Sequence, residues 1–195
     1  GNTKEDFELD QELTSTTGYR GFNYLNYTKV NDTTGNLLFG VNNTGDGSGG
    51  TQQLITNIAV TVGVDNVGGQ STGVFYLDAV EKPSIGLKKG VTYVFDQSDN
   101  SNEVYGGMNH PLMFSTGSDG DHNGNGHYLD GVTYKLDGTT VTMAGYVSGF
   151  AAATTRVVEW VVPANAPSTL YYWCHSHTGQ GDSFAVSGFS DGTTN

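Results

Sequence analysis

The residues with the clearest chemical potential lie in one short run near the C-terminus, Leu170-Tyr171-Tyr172-Trp173-Cys174-His175-Ser176-His177-Thr178-Gly179-Gln180-Gly181. A strand over residues 170–174 puts Leu170, Tyr172 and Cys174 on one face and sends Trp173 and His175 to the other. His177 then falls in the following turn, three residues after the cysteine, where its ring can fold back towards the sulfur. Gln180 lies three further on, past Gly179, whose backbone freedom permits a tight loop. One loop thus offers a soft sulfur, an imidazole and a weak oxygen donor. A second imidazole has to come from elsewhere. His110 is best placed, in Asn109-His110-Pro111-Leu112 directly before a candidate strand. A lone cysteine is ordinarily a small buried hydrophobe. In this company, one cysteine, two histidines and a weak axial donor make the ligand set of a blue-copper site. Zinc is the weaker match, because the paired-cysteine spacing of structural zinc sites is absent.

A second candidate cation site is the loop Asp119-Gly120-Asp121-His122-Asn123-Gly124-Asn125, followed by Asp130. It fits the calcium-loop pattern, with oxygen donors Asp119, Asp121, Asn123 and Asn125, glycine at the sixth position and Asp130 at the twelfth. The pattern departs from a full match in having Asp rather than Glu at that last position. No helices are expected on either side. The alternative is a polar, glycine-rich surface loop with His122 and His127 exposed to solvent. Catalytic motifs are absent: no Gly-x-Ser-x-Gly elbow, phosphate loop or dinucleotide fingerprint occurs. The chain is expected not to be an enzyme.

The elements that must position these residues read as strands. Glycine is abundant at 29 of 195 residues, and long Ala/Leu/Glu/Lys stretches that could propagate a helix are missing. Ile58, Val60, Val62 and Val64 alternate with smaller or polar residues, the period of a half-buried strand. Further strands are expected over 74–77, 91–95, 112–114, 132–136, 141–144, 156–162, 170–174 and 184–186. Short strands at this spacing, broken by turn clusters, predict a sandwich or barrel spanning about residues 54–189.

Residues 1–50 read differently. They are rich in Asn, Thr and Gly and end in Gly45-Asp46-Gly47-Ser48-Gly49-Gly50, a linker composition. Phe7, Tyr19, Phe22, Tyr24, Tyr27 and Phe39 give this arm aromatic anchors, to dock on a neighbouring subunit or on its own domain. The division is therefore an arm and linker over 1–50 and a β-domain over 51–195. Three Asn-x-Thr sequons in the arm, at Asn26, Asn31 and Asn42, carry little weight in a chain of this composition. Eight Lys and Arg against twenty Asp and Glu give a formal charge of −12, which argues against nucleic-acid partners and anionic lipid. No apolar run approaches a membrane span. No secretory signal is visible, and the chain opens on Gly1. Cys174 is the sole cysteine, so an intrachain disulfide is excluded.

The stretch Gly90-Val91-Thr92-Tyr93-Val94-Phe95-Asp96, then Asn109-His110-Pro111, then Tyr172-Trp173-Cys174-His175-Ser176-His177 resembles the cupredoxin family. That resemblance implies a Greek-key β-sandwich with type 1 copper on His110, Cys174 and His177. Gln180 stands where the family usually has Met and resembles the phytocyanin variant, in which a glutamine oxygen is axial. A harder donor there implies a lowered redox potential. Phe95-Asp96-Gln97-Ser98-Asp99, Phe114-Ser115-Thr116 and Ser118-Asp119-Gly120 also resemble a module of marine bacteriophage structural proteins, over roughly residues 58–186. The favoured expectation is a structural or interaction module of a virion or other extracellular assembly, tied to its neighbours through residues 1–50. The alternative is a soluble blue-copper electron carrier.

Overall fold

The alternation of apolar and polar residues produces a predominantly β fold. The computed structural model describes residues 29–31, 37–39 and 54–188. Within the arm, β1 (Lys29–Asn31) and β2 (Leu37–Phe39) pair antiparallel, with Lys29 opposite Phe39. The expected docking role of the rest of residues 1–50 lies outside the described residues.

The domain itself contains two sheets. The larger runs β10-β9-β11-β7-β3-β4-β5 and the smaller β6-β13-β12-β8. In chain order the strands are β3 (Ile55–Gly63), β4 (Val74–Leu77), β5 (Val80–Glu81), β6 (Ile85–Lys88), β7 (Thr92–Asp96), β8 (Leu112–Ser115), β9 (Val132–Leu136), β10 (Thr139–Val141), β11 (Arg156–Val161), β12 (Thr169–Cys174) and β13 (Ser183–Ser187). β3 changes partners midway. Its residues 55–59 run parallel to β7, and residues 60–63 run antiparallel to β4. β13 is parallel to β6, and β12 lies antiparallel between β13 and β8.

Both sheets bury their inward residues in one core. Phe95 and Trp160 of the larger sheet meet Phe114 and Phe184 of the smaller, with ring centroids 5.2–6.1 Å apart. Burying aromatics of this size is the main favourable term in holding the sheets together.

Most expected strands are present, with one clear correction. The strand expected over 141–144 stops at Val141, and α2 (Met143–Gly149) begins instead. Thr142 caps that helix, its hydroxyl accepting from the Gly145 N–H at 3.0 Å. Tyr146 is buried and Met143 and Val147 pack against the core, so one apolar helical face replaces a short strand. A shorter helix, α1 (Ser101–Val104), precedes the His110 segment.

Candidate metal centre

β8 and β12 are neighbours, with Cys174 directly opposite Leu112. That register carries His110, two residues before β8, to the end of β12. Among the described residues, His110, Cys174 and His177 form the one group of three metal-ligating side chains whose donor atoms lie within 4.8 Å of one another. Cys174 Sγ lies 3.8 Å from His110 Nδ1 and 3.5 Å from His177 Nδ1. The two imidazole rings are 4.7 Å apart at 32°. Gln180 Oε1 is 2.9 Å from His110 Nδ1, so all four residues expected as ligands converge. His110, Cys174 and Gln180 are fully buried, and His177 forms the partly exposed edge, its Nε2 3.2 Å from Met108 Sδ.

The hydrogen bonds around this cluster leave lone pairs facing lone pairs. His110 Nε2 donates to the Tyr105 carbonyl at 2.9 Å, which places the proton on Nε2 and leaves Nδ1 bare. Gln180 Nε2 donates to the Thr72 carbonyl at 3.0 Å and to Thr72 Oγ1 at 3.1 Å, which turns Oε1 inward. In the neutral imidazole the bare Nδ1 and the amide oxygen face each other beside the sulfur, 2.9 Å apart. A cation resolves that repulsion, and a backbone carbonyl behind a ligand histidine is a common second-layer support for one.

Titration sets the terms on which a metal would bind. Burial pushes the Cys174 thiol up to about 12, against the lowering effect of the Ser176 and His177 backbone N–H groups. A metal must therefore displace the thiol proton. Burial, followed by repulsion from His110 and His122, holds the His177 imidazole below its ordinary range. Its lone pair consequently stays available into mildly acidic solution.

Several residues without an assigned role in the sequence hold the ligands in place. Gln97 is fully buried and makes four hydrogen bonds. It donates to Asn102 Oδ1 and to the His110 carbonyl, both at 2.8 Å, and accepts from the Leu112 N–H at 2.8 Å and the Tyr146 hydroxyl at 3.0 Å. Asn102 in turn donates to the Val60 carbonyl at 2.7 Å and accepts the His110 N–H on its own carbonyl at 2.8 Å. On the other ligand loop, the Gln180 carbonyl accepts from the Phe75 N–H at 2.8 Å. Gly181 permits the loop to close: a Cβ there would lie 1.8 Å from the Tyr172 carbonyl oxygen. Gln97 directly follows β7 and Asn102 lies in α1, and nothing in the sequence marks either as buried. Nothing in sequence spacing links Thr72 to Gln180.

The proposed calcium ligands do not gather. Asp119 Oδ1 accepts from the Gly179 N–H at 2.8 Å, and so braces the cysteine–histidine loop. Asp121 Oδ2 lies 3.2 Å from His127 Nδ1. The side-chain amides of Asn123 and Asn125 both donate to the Ser118 carbonyl, at 3.2 and 2.9 Å. Asp130 is exposed and offers its main-chain carbonyl to Trp160 Nε1 at 3.1 Å.

The expected exposure of the loop histidines holds for His122 and needs correction for His127. His127 has a side chain only 13% exposed and packs 5.1 Å from the Trp173 ring. His122 is exposed overall, yet its Nε2 donates to the Cys174 carbonyl at 3.1 Å. The cause is Gly120, at φ 44°, where a Cβ would come within 2.1 Å of the Trp173 indole. That contact lays the loop over the outer face of β12 and buries Trp173.

No protein-family model, curated protein or solved structure matches the chain. The site's chemistry therefore rests on its own geometry.

Proposed function

We propose that residues 54–188 form a cupredoxin-like copper domain with Greek-key strand connections. Its ion would be held by His110 Nδ1, Cys174 Sγ and His177 Nδ1, with Gln180 Oε1 as the weak fourth donor. Copper bound there supplies a one-electron couple at a thiolate–imidazole set. The convergence of these four donors, from stretches 64 residues apart, carries the reading.

The chain's own residues account for the remaining requirements of an electron carrier. Gln97 and Asn102 fix the His110 backbone, Thr72 fixes Gln180, and Asp119 fixes Gly179, so little can rearrange when charge changes. His177 reaches the surface beside Met108, which is about half-exposed, and offers the short route outward. The amide oxygen of Gln180 favours the oxidised ion over what a thioether would give, and so lowers the potential. Attachment to a virion or other extracellular assembly through residues 1–50 is a separate proposal, drawn from the sequence of the arm. Sizing the chain with and without those residues tests it, since monomers in both cases would remove it.

The deciding measurement is the visible spectrum of the reduced, metal-free protein after addition of copper(II), with Cys174→Ala in parallel. The expected result is an intense thiolate-to-copper band in the parent alone. A colourless parent whose melting shows it to be folded would overturn the copper assignment.

A further inference from the structure

Cys174 is followed by a residue that enters a different environment. His175 lies across β12 from the sulfur, on the side covered by the 119–127 loop, where three imidazoles surround Trp173. His122, His127 and His175 have ring centroids 5.4, 5.1 and 6.3 Å from the indole, and His127 is 6.3 Å from His175.

Two of these rings hold a buried nitrogen with no hydrogen-bond partner, His127 Nε2 and His175 Nδ1. Buried polar atoms are nearly always paired, so two orphans on adjacent rings call for an explanation. The carboxylate of Asp121, 3.2 Å from His127 Nδ1, can only accept, which draws the proton to Nδ1 and leaves Nε2 as a bare lone pair. A carboxylate behind one nitrogen and an open lone pair on the other is the posture of a metal-binding histidine. Two imidazoles on one tetrahedral ion, each bonded at about 2.0–2.1 Å, have centroids about 5 Å apart, so the two rings, at 6.3 Å, must close by about 1 Å to share an ion.

We infer that His127 and His175 anchor a second metal site, distinct from the cysteine pocket, which takes a divalent ion suited to imidazole nitrogen, zinc or copper(II). Asp121 supports His127 from behind. His122, whose Nε2 donates to the Cys174 carbonyl, stands at the rim, and water fills the remaining positions. The site does not depend on the copper assignment, because none of its ligands belongs to the sulfur pocket.

Equilibrium dialysis of the full-length protein against zinc(II), with excess magnesium to occupy the acidic surface, provides the test. Parent, His127→Gln, Cys174→Ala and the double variant are compared by bound-metal analysis. His127→Gln should bind one equivalent less than the parent, and Cys174→Ala should keep the equivalent that His127→Gln loses. A thermal melt of His127→Gln, together with its thiolate-to-copper band, separates lost ligation from lost folding. His127→Ala provides a second variant if the glutamine substitutes as a ligand. Zinc uptake equal to the parent's in both folded His127 variants would overturn the proposal and leave water as the partner of the orphan nitrogens.

Discussion

Cys174 and His175 share a peptide bond, yet the environments on their two sides of β12 are built to different standards. On the sulfur side every supporting polar atom has a partner: Gln97, Asn102, Thr72 and Asp119 lock backbone and amide groups around the ligands. On the indole side the loop is closed by its own hydrogen bonds and by Gly120 against Trp173, yet buried ring nitrogens are left without partners. Rigidity on one side would suit the proposed copper ion, whose charge would change without moving its ligands. Openness on the other matches an ion that brings its own water. The contrast also separates what a mutation should do on each side.

The strongest blow to the sulfur side is expected from Gln97→Ala. It leaves the His110 carbonyl, the Leu112 N–H, Asn102 Oδ1 and the Tyr146 hydroxyl without their partner in a dry interior. The expected cost is about 3 kcal/mol, a fall in Tm of roughly 6–12 °C for a chain of this size. The copper band should weaken at the same time, while zinc uptake dependent on His127 survives below the melt. A Tm within about a degree of the parent's would mean that the network does not brace the site.

Alkaline titration sharpens the comparison next. The buried Cys174 thiol keeps its proton from its ordinary 9.0 up to about 12, whereas the unfolded chain releases it near 9.0. Within that window the unfolded state holds fewer protons, so rising pH favours unfolding and the stability is lost. For the metal-free protein the thiol contributes a loss of about 2 kcal/mol between pH 9 and 10.5. Tyr134, Tyr146 and Tyr172, all raised by burial, add losses of the same sign. Cys174→Ala retains the tyrosine part and lacks the thiol part. Urea melts of both proteins across this range should therefore converge as pH rises, and parallel curves would refute the burial of a neutral thiol.

Much of this contrast was legible before the structure, and the remainder was not for physical reasons. Period-two alternation located β3, β7, β9 and β11, because one-sided burial writes itself into the sequence. The ligands on the 174–180 loop were readable because three donors three residues apart must meet once the chain turns. His110 was legible only as a histidine directly before a candidate strand, and it is the β8–β12 register that brings it to the sulfur. Val141 continued a β-like run until Thr142 capped a helix, a local hydrogen bond overriding propensity. His127 was misjudged because its burial depends on Gly120 meeting Trp173, a contact between segments some fifty residues apart. The bond from the Gly179 N–H to Asp119 was not legible, because composition cannot say which backbone group a loop carboxylate faces.

That last residue gives the smallest and most discriminating test, since it lies between the two regions. Asp119→Ala removes one carboxylate bond to the Gly179 N–H, which should cost about 1 kcal/mol. If Asp119 serves the sulfur loop, the loss appears with or without calcium, and the copper band shifts or broadens. If it serves a calcium ion, the parent's melting point rises with saturating calcium, because a ligand selective for the folded state must stabilise it. The variant would then lose that rise. The carboxylates of Asp119 and Asp121 are already engaged, with Gly179 and His127, and Asp130 is exposed. Melts of parent and Asp119→Ala with calcium and with chelator should therefore differ by the same small offset in both conditions.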